Sequence, residues 1–461
     1  MAVRNKFALG GLGYTMLCGL VIAISSSTAM AQQSASAEAM AVANSRPEPS
    51  VLAVGKSDSI GLEEMLATIK RLEERVKELE ATLAKADAEK SKSTVAIHAV
   101  QQDVTNLKEQ KAKEDKKNGG FISFFRSTEI SGFVDAYYGY NFNRPTSDTQ
   151  LRNFDTKHNQ FGFNLAEIAL EKKPTDDSRL GFRMDLNFGP ATEIVHSLEP
   201  GGSDVFRHIQ QSYLSYLAPV GKGLQVDVGK FVTQHGAEVI ETKDNWNYSR
   251  SLLFALAIPY YHFGVRATYP LHDKLAVSGF VVNGWNNVVD NNHRKTYGLQ
   301  AVIKPTSKLT IIQNYMGGPE QANNHKDWRH LWDTSAIYTV TPSLSLMANY
   351  DYGFDRAAGA RVHWQGIAAY ARYQVNGWLA LAPRFEWYDD HDGFTTGLKQ
   401  TLKEFTMTSE HKINGSLLTR LEYRRDLSDK NFFSKPADRL VKAQSTLSFG
   451  IVYVFSSKGE P

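Results

Sequence analysis

The sequence predicts an all-β transmembrane barrel of about 16 antiparallel, up-and-down strands, preceded by an α-helical coiled coil. Three observations carry this expectation. First, Ser445 to Phe455 reads STLSFGIVYVF, with Leu447, Phe449, Ile451, Tyr453 and Phe455 on one face and smaller residues on the other. That is the period-two alternation of a half-apolar strand. Second, the pattern recurs back to Glu129 at lengths near ten residues, the length a tilted strand needs to cross a bilayer. Third, the segments between these runs alternate between short and long, as they do when tight turns occupy one rim of a barrel and long loops the other.

The alternation is read from candidate strands at 130–142, 161–171, 180–188, 206–217, 224–231, 259–269, 275–283 and 296–304. The second half continues at 309–315, 332–340, 344–352, 364–374, 379–388, 402–410, 417–425 and 445–455. The connections 172–178, 218–223, 270–274, 305–308, 341–343, 375–377 and 411–416 are short and rich in turn-forming residues. The others, 143–160, 189–205, 232–258, 284–295, 316–331, 353–363, 389–401 and 426–444, are long and polar. This places the barrel at 129–455, with a linker at 118–128 and a short tail at 456–461. Both ends of the barrel fall on the short-turn rim.

Composition agrees with this class. A hydrophobic fraction of 42% and a mean hydropathy of −0.36 look soluble. A barrel has this composition because lumen-facing polar residues dilute each strand. A net charge of +3 gives no basic footprint for nucleic acid.

The first 31 residues read as a secretory signal: Arg4 and Lys6, an apolar stretch from Leu9 to Ile24, then Ala29-Met30-Ala31. The single cysteine, Cys18, lies inside it, so the mature chain has no thiol chemistry and no disulfide. Residues 32–58 read as a flexible Ala-, Ser- and Gln-rich linker.

The coiled coil is expected over 59–117. Positions 62, 69, 76, 83, 90, 97 and 104 carry Leu, Ile, Val, Leu, Lys, Ile and Val. Positions 65, 72, 79, 86, 93, 100 and 107 carry Met, Leu, Leu, Ala, Ser, Val and Leu. One heptad register thus holds twelve apolar residues in fourteen core slots, broken only by Lys90 and Ser93. Twelve basic and twelve acidic residues between Leu62 and Lys117 suit a solvated exterior.

Several strands pair an apolar face with a charged one. Leu180, Phe182, Met184, Leu186 and Phe188 form one apolar face, and Leu344, Leu346, Ala348, Tyr350 and Tyr352 another. Tyr138, Tyr140, Tyr269, Trp332, Tyr338, Trp364 and Tyr453 stand near strand ends, where aromatic girdles meet headgroups. Charges do not face lipid cheaply, so the opposite faces are expected to line a wet lumen. The candidate pore-lining residues are Arg183, Asp185, Asp227, Arg266, Lys304, Arg372, Arg384, Glu386, Arg420, Glu422 and Arg424, with Arg384, Arg420 and Arg424 forming a basic wall. Glu238, Glu241 and Asp244 lie in the longest connection, 232–258, and are candidates for a constriction opposite that wall, creating a transverse field.

The run GKFVTQHGAE (229–238), then NWNYSRS (245–251) and PYYHFGVRATY (259–269), resembles the OmpL-like β-barrel porins. EISGFVDAYYGYNFN and FRMDLNFG (182–189) fit the same family. The resemblance covers about 129–455 and implies an outer-membrane channel for small solutes with no cofactor and no catalytic signature. Analogy with porins implies a homotrimer, and outer-membrane lipids are the expected surroundings. The coiled coil lies outside the resemblance. It is expected in the periplasm, serving oligomerisation or reaching peptidoglycan or a periplasmic protein. On that second footing the chain would be a structural anchor rather than a channel.

An enzyme is the remaining class. Neither G-x-S-x-G nor H-E-x-x-H occurs, the thirteen histidines are scattered, and no metal-ligand spacing stands out. Asp389-Asp390-His391 on an outer loop reads as solvated surface.

Overall fold

The computed structural model describes residues 62–117, 126–357 and 359–459, in two separate units, a helix and a barrel. The expected signal segment and the 32–58 linker lie outside the described residues, as does most of the 118–128 linker.

Helix α1 spans Leu62–Lys117 without interruption. At 1.5 Å per residue its 56 residues are about 84 Å long. Its heptad positions Ile69, Leu72, Val76, Leu79, Leu83, Ile97, Val100, Val104 and Leu107 are all exposed in the single chain. The helix is therefore present, and its apolar stripe has no partner among the described residues. No described helix is long and apolar enough to cross a membrane, which says nothing of strands.

The barrel opens with β1 (Glu129–Asn141), β2 (Gln160–Lys172), β3 (Leu180–Phe188), β4 (Ile209–Ala218), β5 (Leu224–Val232) and β6 (Tyr261–His272). It continues with β7 (Leu275–Val282), β8 (Thr296–Thr306), β9 (Leu309–Pro319), β10 (Trp328–Thr341), β11 (Leu344–Ala357) and β12 (Ala360–Gln374). Strands β13 (Leu379–Asp390), β14 (Gln400–Lys412) and β15 (Leu417–Ser428) follow, and after a small hairpin of β16 (Phe433–Lys435) and β17 (Arg439–Val441), β18 (Ala443–Ser456) completes the wall. Every neighbouring pair is antiparallel, and β1 pairs with β18 from Ser131↔Ser456 to Asn141↔Thr446, so 16 strands close without an edge. Closure leaves no unpaired backbone row, which a bilayer would not tolerate. All sixteen expected strands are present, most a few residues longer than their apolar alternation because strands pair on beyond the lipid.

One connection departs from the expected alternation. The segment 353–363 is not a long loop: Asp355↔Val362, Arg356↔Arg361 and Ala357↔Ala360 remain paired, and β11 and β12 meet in a tight hairpin. Backbone pairing by itself needs no apolar face, so the sequence carried no strand signal there. Elsewhere the long connections share one rim and the short turns the other, with both barrel ends on the short-turn side.

The faces sort by parity. On β18, Leu447, Phe449, Ile451 and Tyr453 are exposed outward while Gln444, Thr446, Ser448 and Val452 are buried inward. On β3, Leu180, Met184 and Phe188 point out and Asp185 and Asn187 in. Trp364 corrects one expectation. It is not part of an outer girdle but is buried on the inner face of β12, where its Nε1 donates to Ala257 O at 3.1 Å.

Candidate functional site

The site is the barrel interior and the long connection that enters it. Residues 233–260 leave β5, cross the lumen and return to β6. The path can be followed from its anchors. Asn314 Nδ2 on β9 donates to Gln234 O at 3.0 Å. The Ala237 amide donates to Asn349 Oδ1 on β11 at 3.3 Å. Glu238 reaches Arg384 on β13 at 2.8 Å. At the far side, Thr242 and Tyr248 both donate to Asp135 on β1, at 2.5 and 2.8 Å. The chain then returns: the amides of Tyr248 and Ser249 donate to the two oxygens of Glu422 on β15, at 2.6 and 3.0 Å. Asn247 Nδ2 donates to Ala382 O and Thr408 Oγ1, at 2.8 and 2.7 Å. Helix α2 (Pro190–Val195) and helix α3 (Ser203–Phe206) belong to the β3–β4 connection, and helix α4 (Leu252–Leu256) to this one. Ser251 caps α4 by accepting from the Phe254 amide at 3.0 Å.

The inward arginines explain why the loop stays inside. A chain crossing a lumen leaves carbonyls that must be satisfied once water is displaced. Arg420 donates to Thr242 O at 2.6 Å and Asn245 O at 2.5 Å. Arg384 donates to Ser249 O at 2.7 Å, and Arg424 to Arg250 O at 2.5 Å. The basic wall is thus the loop's mooring. Its three guanidiniums are fully buried, balanced by Glu238, Glu386, Glu404, Glu410 and Asp426.

Apolar packing adds to this anchoring. Leu252, Leu253, Phe254 and Ile258 of the loop join Phe133, Phe280, Met316, Leu331, Met347, Tyr388 and Val452 of the wall in one buried cluster. The β1–β2 connection adds Leu151 and Phe154, the latter edge-on to Phe254 at 6.1 Å. Two inner-face glycines make the room. A Cβ on Gly450 would lie 2.3 Å from the Tyr248 ring, and one on Gly366 2.8 Å from Leu253 Cδ1.

The eleven candidate pore-lining residues all face inward, but in two groups. Arg384, Glu386, Arg420, Glu422 and Arg424 are buried under the loop. Arg183, Asp185, Asp227, Arg266, Lys304 and Arg372 lie nearer the short turns, where the arginines and Lys304 keep some exposure. The three loop acids differ from one another. Glu238 is in contact with Arg384 rather than across water from it. Glu241 is buried, and burial together with the Asp244 charge pushes its carboxyl upward. Asp244 is exposed and pairs with Lys243 at 2.5 Å. Glu238 and Asp244 are thus paired by direct contact, with Arg384 and Lys243.

Sequence reasoning passed over Asp135, Thr242, Asn247, Tyr248 and Arg250 as loop anchors. A signal existed in the Asn, Tyr, Ser and Arg content of 245–251, which has more hydrogen-bonding capacity than a solvated loop requires. A β-bulge in β2 helps as well. The register slips between Asp135↔Leu165 and Ala136↔Phe163, which turns Asn164 inward to donate to Asp135 at 2.5 Å.

At the long-loop mouth a cavity of about 230 Å³ is lined by Trp285, Trp364, Phe394, Arg329, Asn291 and Glu320, among others. Arg329 lies over the Trp285 and Phe394 rings and is held by Asp355 at 2.8 Å. Glu320 accepts from the Trp285 amide at 2.6 Å and from Thr296 Oγ1 at 2.5 Å, and burial pushes its carboxyl up to about 7. Among the described residues no cluster of His, Cys, Asp and Glu is arranged to hold a metal ion.

Among curated proteins no sequence relative is found. The solved structures to which the chain is similar are remote in sequence. OmpT, an outer membrane protein of Vibrio cholerae, is 11% identical, with 71% of this chain and 97% of that one covered and a TM-score of 0.48. The outer membrane channel DcaP of Acinetobacter baumannii is 10% identical over 71% and 97%, with a TM-score of 0.48. An anion-selective porin from Comamonas acidovorans is 11% identical over 71% and 99%, with a TM-score of 0.49. Similarity at this level leaves the functional question to the residues themselves. A family model does match, the one described as "Putative beta-barrel porin-2, OmpL-like", over residues 127–455. The match covers the whole barrel and stops short of the helix, so the chain belongs to the OmpL-like beta-barrel porin family of outer-membrane porins.

Proposed function

We propose that the barrel is a passive diffusion channel for small polar solutes or ions, narrowed by the 233–260 connection, and that it has no enzymatic activity. The observation that carries this is the mooring of that connection across the lumen by Arg384, Arg420 and Arg424, which leaves the wall inward-charged and the passage restricted. The eleven inward residues Arg183 to Arg424 act as the lumen wall on this reading, five of them through the loop they hold.

The exposed stripe of α1 supports a homo-oligomer joined through a coiled coil, and the trimer as its favoured state rests on analogy with porins rather than on the heptads. A single chain leaves nine large apolar heptad residues in water, which pairing would cover. Because both barrel ends lie on the short-turn rim, the helix is assigned to the periplasm. Peptidoglycan or a periplasmic protein is a further partner there, and lipids surround the barrel.

Single-channel recording in a planar bilayer tests the channel. Ohmic steps, grouped in threes for a trimer, are the expected result. Repeated insertion of folded barrel without conductance would favour the second reading, an outer-membrane anchor. The extent of apolar packing around the loop is what keeps that reading in view.

A further inference from the structure

Three ion pairs on the short-turn half of the inner wall share an orientation, in which the carboxylate is less exposed than the guanidinium. Arg183 is 28% exposed and its partner Asp185 0%, at 2.9 Å, with Glu171, 19% exposed, a second carboxylate at 3.7 Å. Arg266 is 14% exposed and Asp227 2%, at 2.8 Å. Arg372 is 30% exposed and Glu410 14%, at 2.6 Å. Glu410 also serves the buried Arg420, so one carboxylate faces two guanidiniums. Lys304, half-buried on the same half of the wall, has no carboxylate at ion-pair distance among the described residues.

The physical cause is visible in the partners. Asp185 is fixed by Gln211 Nε2 at 2.5 Å, and Asp227 by Ser215 Oγ at 2.7 Å and Gln225 Nε2 at 2.9 Å. Short acidic side chains held by their strand neighbours cannot follow a long guanidinium into water, so the paired charges cancel only in part at the lumen surface. Arg266 is also propped over the Phe231 and Tyr213 rings, at 4.7 and 5.8 Å, which keeps its head off the wall. Two pairs run the other way, the loop pair Lys243–Asp244 with 26% and 48% exposure and Arg420–Glu410 with 1% and 14%.

Resting on the channel reading above, we infer that the short-turn half of the lumen presents net positive charge to a permeating solute, and that the channel prefers small anions, inorganic or carboxylate. A count of charges alone does not show this, because it does not ask which of them reach water. One uncompensated charge roughly 8 Å from an ion in a water-filled lumen changes that ion's occupancy about twofold. Lys304 acts as such a charge, and the three guanidiniums, each partly offset by its carboxylate, add smaller contributions of the same sign, weakened by salt over a Debye length of ~10 Å at 0.1 M.

The test is the reversal potential of the full-length protein in a planar bilayer under a KCl gradient, at low and at high ionic strength. The expected result is a chloride-to-potassium permeability ratio well above one that declines as salt rises. The variant Arg183→Gln/Arg266→Gln/Arg372→Gln should bring the ratio to one or below, and Glu410→Gln should raise it by about twofold. If the triple variant does not fold, as judged by β-sheet circular dichroism, Arg372→Gln alone, near a strand end, should lower the ratio by about twofold. Wild-type cation preference, or a ratio that none of these variants moves, overturns the inference while leaving the channel intact. Folded protein without any conductance overturns the channel reading, and this inference with it.

Discussion

Arg384 is the point at which the loop, the wall and the acids of the lumen meet, and removing its charge should show how the loop is held. Its guanidinium is fully buried, 2.8 Å from Glu238, 3.1 Å from Glu404 and 3.3 Å from Glu386, and it also donates to Ser249 O. Arg384→Gln leaves three buried carboxylates short of their shared cation, and breaking a buried pair this way costs about 3–5 kcal/mol. Glu238→Gln is milder, because Arg384 keeps two carboxylates, and should cost about 1.5–3 kcal/mol for the lost charge-assisted bond. In the double variant the orphaned Glu238 charge is gone, so the two losses should fall short of their sum by about 1–3 kcal/mol. Urea unfolding of the barrel from lipid vesicles, followed by tryptophan fluorescence, measures all three. The same variants in a planar bilayer should show larger and noisier conductance as the loop detaches. Losses that add within about 0.5 kcal/mol, with conductance unchanged, would show that Arg384 does not hold the loop through Glu238.

Other perturbations follow from the same geometry. Gly450→Ala places a methyl group against the Tyr248 ring and should destabilise the barrel by about 1–3 kcal/mol, a loss that Tyr248→Ala in the same chain should partly relieve. Glu320, with its carboxyl raised to about 7 from an ordinary 4.5, binds its proton more tightly folded than unfolded. Its contribution therefore makes stability fall as pH rises from about 4.5 to about 7, by roughly 3 kcal/mol. Unfolding midpoints for Glu320→Gln should lack that slope and exceed wild type above pH ~7. Leu72→Asp/Leu79→Asp, on the exposed stripe of α1, should dissociate the oligomer in sedimentation velocity while leaving the β-sheet circular dichroism of the barrel unchanged.

How far the sequence could be read varied from one feature to the next. Strands such as β3 and β18 were legible because lipid on one side and the interior on the other impose a period of two, and each residue on those strands carries the information locally. The Arg356–Arg361 end of the hairpin between β11 and β12 was not legible, since backbone pairing by itself needs no apolar face. Trp364 was misassigned for a related reason: an aromatic residue near a strand end fits a girdle or a core, and only the parity of its own strand separates the two. The inward direction of Arg384, Arg420 and Arg424 was legible, but what they bind was not, because their partners Ser249, Thr242 and Arg250 lie more than a hundred residues away.

The sequence by itself determined a closed barrel of antiparallel strands with charges turned inward, and a long heptad helix ahead of it. These follow from periodicity, which depends only on neighbours along the chain. The tertiary structure alone decided that the 233–260 connection crosses the lumen, that Glu238 neutralises Arg384 by contact, and that Arg183, Arg266 and Arg372 are more exposed than their carboxylate partners. Those outcomes depend on which charge is desolvated and which reaches water, and that is set by residues far apart in sequence that closure of the barrel brings together.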